Sequence, residues 1–203
     1  MTSDIISSEI IEEEPKTNNI IITELLDNNV VNTETIDNVI NTCDVEDKSN
    51  TSNTVVTEIK NIPDKQTNFK SWMPYTMLNK KSLNYKTIKK DGYIDENGLC
   101  RIKEYYCVAL GSYYSTELGD LFKVTLDNGN EFIFITMDHK ADIHTDSNNQ
   151  ITIKSGCMTE FIVDKNKLNK QIKVSGTVSS LDCFNGLYVK IEKIGNYFTE
   201  SEE

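Results

Sequence analysis

The chain has 203 residues, of which 37% are hydrophobic, and carries a formal charge of −11 with a pI near 4.7. That length allows one or two domains and a core of ordinary size, while the acidity argues against a protein that neutralises nucleic-acid phosphates or rests on an anionic membrane. No apolar stretch, the cluster from Asn19 to Leu26 included, approaches the roughly 18 residues of a membrane-crossing helix.

Residues 1–69 hold 14 acidic and 4 basic side chains, whereas residues 70–203 hold 18 and 17, so the acidity belongs to the first third. No Phe, Trp or Tyr precedes Phe69 and no Gly precedes Gly92. The rings that dominate cores therefore all lie in the second part, and the composition divides the chain into an acidic extended arm over 1–68, a domain over 69–196 and an acidic tail over 197–203. Within the arm, Ile36, Val39 and Ile40 follow the i, i+3, i+4 spacing of a docking helix over Thr35 to Asn41. The alternative is a solvated acidic linker. Met1 to Pro15 carries Asp4, Glu9, Glu12, Glu13 and Glu14 where a secretory signal would carry Lys or Arg and then an apolar run. Synthesis in the cytoplasm is expected, with any action outside the cell needing another carrier. The five cysteines, Cys43, Cys100, Cys107, Cys157 and Cys183, form no C-x-x-C pair and read as reduced, mostly buried thiols.

From Phe69 onward, β-branched and aromatic runs alternate with Gly, Asn and Asp. Strands are predicted over Tyr105–Leu110, Leu121–Leu126, Glu131–Met137, Thr159–Val163, Gln171–Val174 and Leu187–Ile191. Asn128-Gly129 should close a tight hairpin between the second and third of these, because Asn-Gly supplies positive φ angles. The pattern is all-β, and strands at this spacing suit a small barrel or sandwich. Earlier in the domain, Lys70, Lys80, Lys81, Lys86, Lys89 and Lys90 interleave with Trp72, Tyr75 and Tyr85. That stretch is either a polymer-binding face or an element that packs its rings and solvates its lysines.

The densest group of ionisable side chains is Asp138-His139-Lys140-Ala141-Asp142-Ile143-His144-Thr145-Asp146, which holds both histidines of the chain. Asp138 follows the apolar strand Phe132 to Met137, and Asp164 follows Phe161-Ile162-Val163. Two carboxylates at the ends of core strands, one neutral and one ionised, supply the acid and the anion that glycosidic-bond cleavage requires. Asp138, Asp142, His144 and Asp146 also offer mixed O and N donors for a divalent ion, and a solvated turn capped by its own Asp and His side chains is the third reading. Gly111-Ser112-Tyr113-Tyr114 either lines a sugar groove or marks a bend.

Lys70-Ser71-Trp72-Met73-Pro74-Tyr75, Tyr93 to Leu99, Tyr106 to Tyr114, Asp138 to Asp146 and Glu160-Phe161-Ile162-Val163-Asp164 together resemble a domain of phage and prophage proteins from Gram-positive, chiefly clostridial, bacteria. The likeness covers about residues 69 to 193. More remotely, Leu118-Gly119-Asp120, Asn128-Gly129, Met137-Asp138 and Val163-Asp164 are similar, in that order, to the motifs of the three-aspartate double-psi β-barrels of lytic transglycosylase A and the resuscitation-type muralytic proteins. The family's first aspartate would fall near Gly111, and His139 to Asp146 take the place of its Gly-rich loop. The resemblance implies a six-stranded double-psi barrel, with Asp164 as the acid and Asp138 as its carboxylate partner. Tyr113, Tyr114, His144 and Asp146 are expected against the substrate, with His144 or Asp146 as candidates to replace the missing first acid. The resemblance implies no cofactor and no resident metal. The function expected is a phage tail or baseplate component, located in the virion, that cleaves peptidoglycan glycan strands during cell-wall penetration. The alternative is a non-enzymatic tail subunit that binds other tail or baseplate proteins through residues 1–68.

Overall fold

The computed structural model describes residues 56–200. The docking helix expected at Thr35 to Asn41, the rest of the arm up to residue 55 and Cys43 lie outside the described residues.

The described residues are mostly β. One mixed sheet of nine strands runs in the order β1 (Glu58–Ile59), β9 (Tyr188–Asn196), β6 (Asp120–Leu126), β7 (Glu131–His139), β5 (Tyr105–Leu110), β4 (Cys100–Ile102) and β3 (Gly92–Ile94). A branch leaves β5 for β8 (Glu160–Val163), which also pairs with β2 (Ser71–Pro74). The β5–β7 and β2–β8 pairs are parallel and the others antiparallel. Five of the six expected strands are present. These pairings do not show closure into a barrel.

Every residue of β5 is buried, because both faces of this strand are covered. Tyr106, Val108 and Leu110 point into one core with Phe122, Phe134, Phe161 and Phe184, while Cys107 points into the other with Ile135, Met137 and Ile162. In the first core the Phe184 ring stacks on Phe132 at 4.7 Å and meets Tyr106 and Phe161 edge-on at 5.3 and 5.1 Å. Such contacts contribute about 0.5–1.5 kcal/mol each beyond burial.

The hairpin between β6 and β7 forms where expected, with a different turn. Gly129 alone has a positive φ, 88°; its N–H donates to the Leu126 carbonyl, and the Leu126 N–H to the Asn130 carbonyl. This is a three-residue loop with a left-handed glycine, not a two-residue turn with both central residues left-handed.

Three short α-helices depart from an all-β chain. The expected strand Gln171–Val174 lies in α2 (Lys170–Ser175), whose end signals outweigh the local alternation. Asn169 caps it by accepting from the Gln171 N–H, Gly176 ends it at φ 77°, Ile172 is buried and Val174 is 80% exposed. The other two are α1 (Leu83–Asp91) and α3 (Tyr197–Glu200). The lysine-rich stretch packs its rings: Tyr75 and Tyr85 lie 6.1 Å apart, Lys80, Lys81, Lys86, Lys89 and Lys90 are exposed, and Lys70 is buried.

Residues 58–68, assigned by composition to the arm, pair and pack with the sheet. β1 joins β9, Pro63 is buried, and Gln66 exchanges hydrogen bonds with the backbone of Tyr188 at 2.7 and 3.0 Å. Cys100, Cys107 and Cys157 are buried free thiols, whereas Cys183 is disulfide-bonded.

Candidate functional site

The register around Ala109 builds the site. β7 runs beside β5 with Thr136 opposite Val108, then slips so that Asp138, not Met137, stands opposite Ala109. Met137 is the extra residue of a bulge, a device that re-aims the side chain that follows it. On the other side of β5, Glu160 stands opposite Ala109, and Ser71 of β2 stands opposite Glu160. Asp138, Ala109, Glu160 and Ser71 thus form one row across four strands. Two strand spacings separate the backbones of the acids, about 9.6 Å, and the residue between them carries only a methyl group.

Both carboxyls hold their protons more tightly than usual. Burial pushes Asp138 up, opposed by the His139 N–H hydrogen bond and the His139 charge. Burial also pushes Glu160 up; Lys140 opposes it, the Asp138 charge adds to it, and a hydrogen bond with Ser71 opposes it. The Asp138 carboxylate acts on Glu160, while burial is the one cause raising Asp138. The two carboxyls therefore titrate as a coupled pair, in which the charge of one holds the proton on the other.

Behind Glu160 is a polar support. The Cys157 thiol donates to the Thr159 carbonyl at 2.9 Å, and its Sγ lies 3.3 Å from the Ser71 hydroxyl. Lys140, nine-tenths buried, donates to the Cys157 carbonyl at 2.7 Å and to Thr152 Oγ1 at 3.2 Å. Burial lowers its ammonium below the ordinary lysine value, against the pull of Cys157 and Glu160.

The expected partnership of Asp138 with Asp164 is not what the strands bring together. β8 is antiparallel to β5 and β7 is parallel to it, so the end of β7 lies beside the start of β8. Asp164 follows the far end of β8, four residues or about 13 Å of strand from Glu160. There its Oδ1 accepts from the Asn166 N–H at 2.9 Å and its backbone bonds to Gly98 and Lys167, the contacts of a turn. Glu160 takes the place beside Asp138.

The four expected substrate contacts divide. Tyr113 and Asp146 line an open groove of about 610 Å³. Tyr114 is a core residue, 2% exposed, held edge-on to Tyr113 at 5.1 Å, with its phenol pushed up by burial and by Tyr113 and Asp146. His144 is exposed on the 3-10 turn Asp142–His144 and is not among the groove's lining residues. Among the described residues no group of three or more His, Cys, Asp or Glu is placed to hold a metal ion, which leaves the divalent-ion reading of Asp138, Asp142, His144 and Asp146 without support.

Compared with known proteins, the chain matches no family model, no curated protein and no solved structure.

Proposed function

We propose that this domain cleaves glycosidic bonds of peptidoglycan, with Asp138 and Glu160 as its paired carboxyls. The observation that carries this reading is their placement on either side of Ala109, with burial pushing both up and the Asp138 charge acting on Glu160. Glu160, still protonated, donates to the glycosidic oxygen as the bond breaks. The Asp138 carboxylate stabilises the positive charge that develops at the sugar. Ser71 and Lys140 steady Glu160 once it has given up its proton. The anomeric carbon is then captured by water or by the sugar's own 6-hydroxyl, whose proton returns to the Glu160 carboxylate as the new C–O bond forms.

The biological setting proposed is a phage tail or baseplate, supported by the resemblance of residues 69 to 193 to phage and prophage domains of Gram-positive bacteria. The double-psi barrel belongs to the same proposal, and the two parallel strand pairs, each of which needs a crossover connection, are compatible with it. The acidic, aromatic-free residues 1–55 favour a second role, attachment to another tail protein, for they carry too little apolar surface to form a core alone.

The test is release of soluble glycan from clostridial sacculi by the full chain between about pH 4 and 8. Release that Asp138→Asn and Glu160→Gln each abolish is expected; no release at any pH removes the enzymatic reading. Deleting residues 1–55 should prevent incorporation into particles without abolishing cleavage.

A further inference from the structure

The groove beside Tyr113 is built from two segments distant in sequence. Residues 61–65 form one wall and the loop 146–150 the other, with Ile62 and Ile151 supplying apolar surface. Gln150, 8% exposed, joins the walls through its Nε2, 3.4 Å from the Asn61 carbonyl. Its Oε1 accepts no hydrogen bond among the described residues, although the side chain lines the groove. Asp146 is held similarly: Oδ1 accepts the N–H groups of Gln150 at 2.7 Å and Ile151 at 3.0 Å, and Oδ2 bonds to no described residue. Tyr113 is fixed by its edge-on contact with the buried Tyr114 ring.

The loop is braced by its own hydrogen bonds. Thr145 bridges to Thr152, Thr145 Oγ1 donates to Asn149 Oδ1 at 2.9 Å, and Ser112 Oγ donates to Asp142 Oδ1 at 2.7 Å. The groove is joined to the carboxylate row through β5: Tyr113 is four residues past Ala109, at most about 14 Å of chain.

We infer that this groove binds a neutral oligosaccharide through Tyr113, Asp146 and Gln150. Its volume falls in the range of small-molecule sites. Fixed carboxylate and amide oxygens suit hydroxyl donors, and a ring beside aliphatic surface suits the apolar faces of sugars. The charges of Asp64, Lys65 and Asp146 come to −1, which disfavours a phosphate polymer. The choice of an N-acetylated glycan rests on the glycan-cleaving reading above; the binding does not require cleavage.

The experiment uses the full chain with Asp138→Asn and Glu160→Gln combined, to prevent turnover, titrated with a β-1,4-linked tetramer of N-acetylglucosamine by calorimetry and by backbone amide shifts. Saturable binding with shifts centred on residues 61–65, 113 and 146–151 is expected. Adding Tyr113→Ala should weaken it at least about tenfold, as should Gln150→Leu. Tyr113→Phe, which keeps the ring and guards against a misfolded variant, should retain it, and Lys86→Ala in the separate groove beside α1 should leave it unchanged. Absence of saturable binding, or equal affinity with and without Tyr113→Ala, overturns the inference. Cleavage of sacculi by the native chain without tetramer binding sinks the groove alone; tetramer binding without cleavage sinks the catalytic reading alone.

Discussion

Asp138 and Glu160 stand on either side of Ala109, one near the end of a strand parallel to β5, the other at the start of a strand antiparallel to it. This opposed running is what lets two acids 22 residues apart share one row. A pair poised so that one carboxyl is charged and the other neutral works only within a limited pH window. Activity should rise as the first carboxyl of the pair ionises and fall as the second does, giving a bell whose limbs are displaced upward from ordinary carboxylate values. Release of soluble glycan measured against pH checks this. Asp138→Asn and Glu160→Gln should each cost about 10²–10⁴-fold at the optimum, while Asp164→Asn should leave the bell in place. Loss of activity in Asp164→Asn with a folded protein would restore the partnership expected from sequence.

The same two acids weaken the fold at neutral pH. A carboxyl whose folded pKa is raised contributes stability at low pH that is lost as pH rises through that value. Asp138→Asn and Glu160→Gln should therefore melt above the native protein near pH 7, with the advantage disappearing below about pH 4, where the native carboxyls are protonated too. Thermal unfolding at the two pH values decides it, and lower melting of both variants at neutral pH would contradict the burial of the pair.

Much of the scaffold is legible in sequence because hydrophobic runs and turn residues act locally. Tyr105–Leu110 and Glu131–Met137 are long apolar strands, and Asn128-Gly129 can hardly be anything but a turn. The helix α1 is hidden because the face it buries is partly polar. Asn84 and Thr87 lie beneath it with Ile88, and Asn84 Nδ2 donates to the Met137 carbonyl at 2.7 Å. At Gln171–Val174 the alternation of Ile172 and Val174 mimics a strand, whereas Asn169 and Gly176 mark the two ends of a helix. At the site, Asp138 is legible as an acid ending an apolar strand. Glu160 begins one, and choosing it over Asp164 required the relative direction of β7 and β8, which no local pattern encodes. The bulge at Met137, which puts Asp138 into the row, is equally silent in sequence.

A third expectation concerns Asp120, 1% exposed in β6. Burial alone would raise its carboxyl, but hydrogen bonds from Lys193 at 2.8 Å, Ser115 at 2.6 Å and Asn196 at 2.9 Å together hold it below the usual carboxylate range. A folded pKa depressed in this way contributes stability above the unfolded value that is lost as pH falls through the folded one. Asp120→Ala leaves the Lys193 ammonium without its carboxylate, while Ser115 and Asn196 keep the carbonyls of Glu117 and Leu118 as acceptors. It should destabilise the domain by about 3–5 kcal/mol near neutral pH, and by less in acid. Chemical denaturation at both pH values reads the difference, and a loss independent of pH would place the contribution in packing instead of charge.

Gly111 shows how tightly the groove loop is seated. A Cβ at this position would come within 1.9 Å of the Asn149 carbonyl oxygen, a backbone atom that cannot swing aside as a side chain would. The glycine is needed for close approach more than for a bend. At Gly129 a Cβ would meet nothing within 4 Å, and only its φ of +88° opposes a side chain, at a cost of about 1–2 kcal/mol. Gly111→Ala must push the loop 146–150 off β5 or strain both. Overpacking of this kind costs typically about 1–3 kcal/mol, or more where backbone cannot yield, and each kcal/mol lowers the melting temperature of a domain this size by about 2–4 °C. Gly111→Ala should thus melt below Gly129→Ala and shift the amide resonances of residues 146–151, whereas Gly129→Ala should leave those resonances in place. Unshifted resonances in Gly111→Ala would show that the loop does not rest on β5.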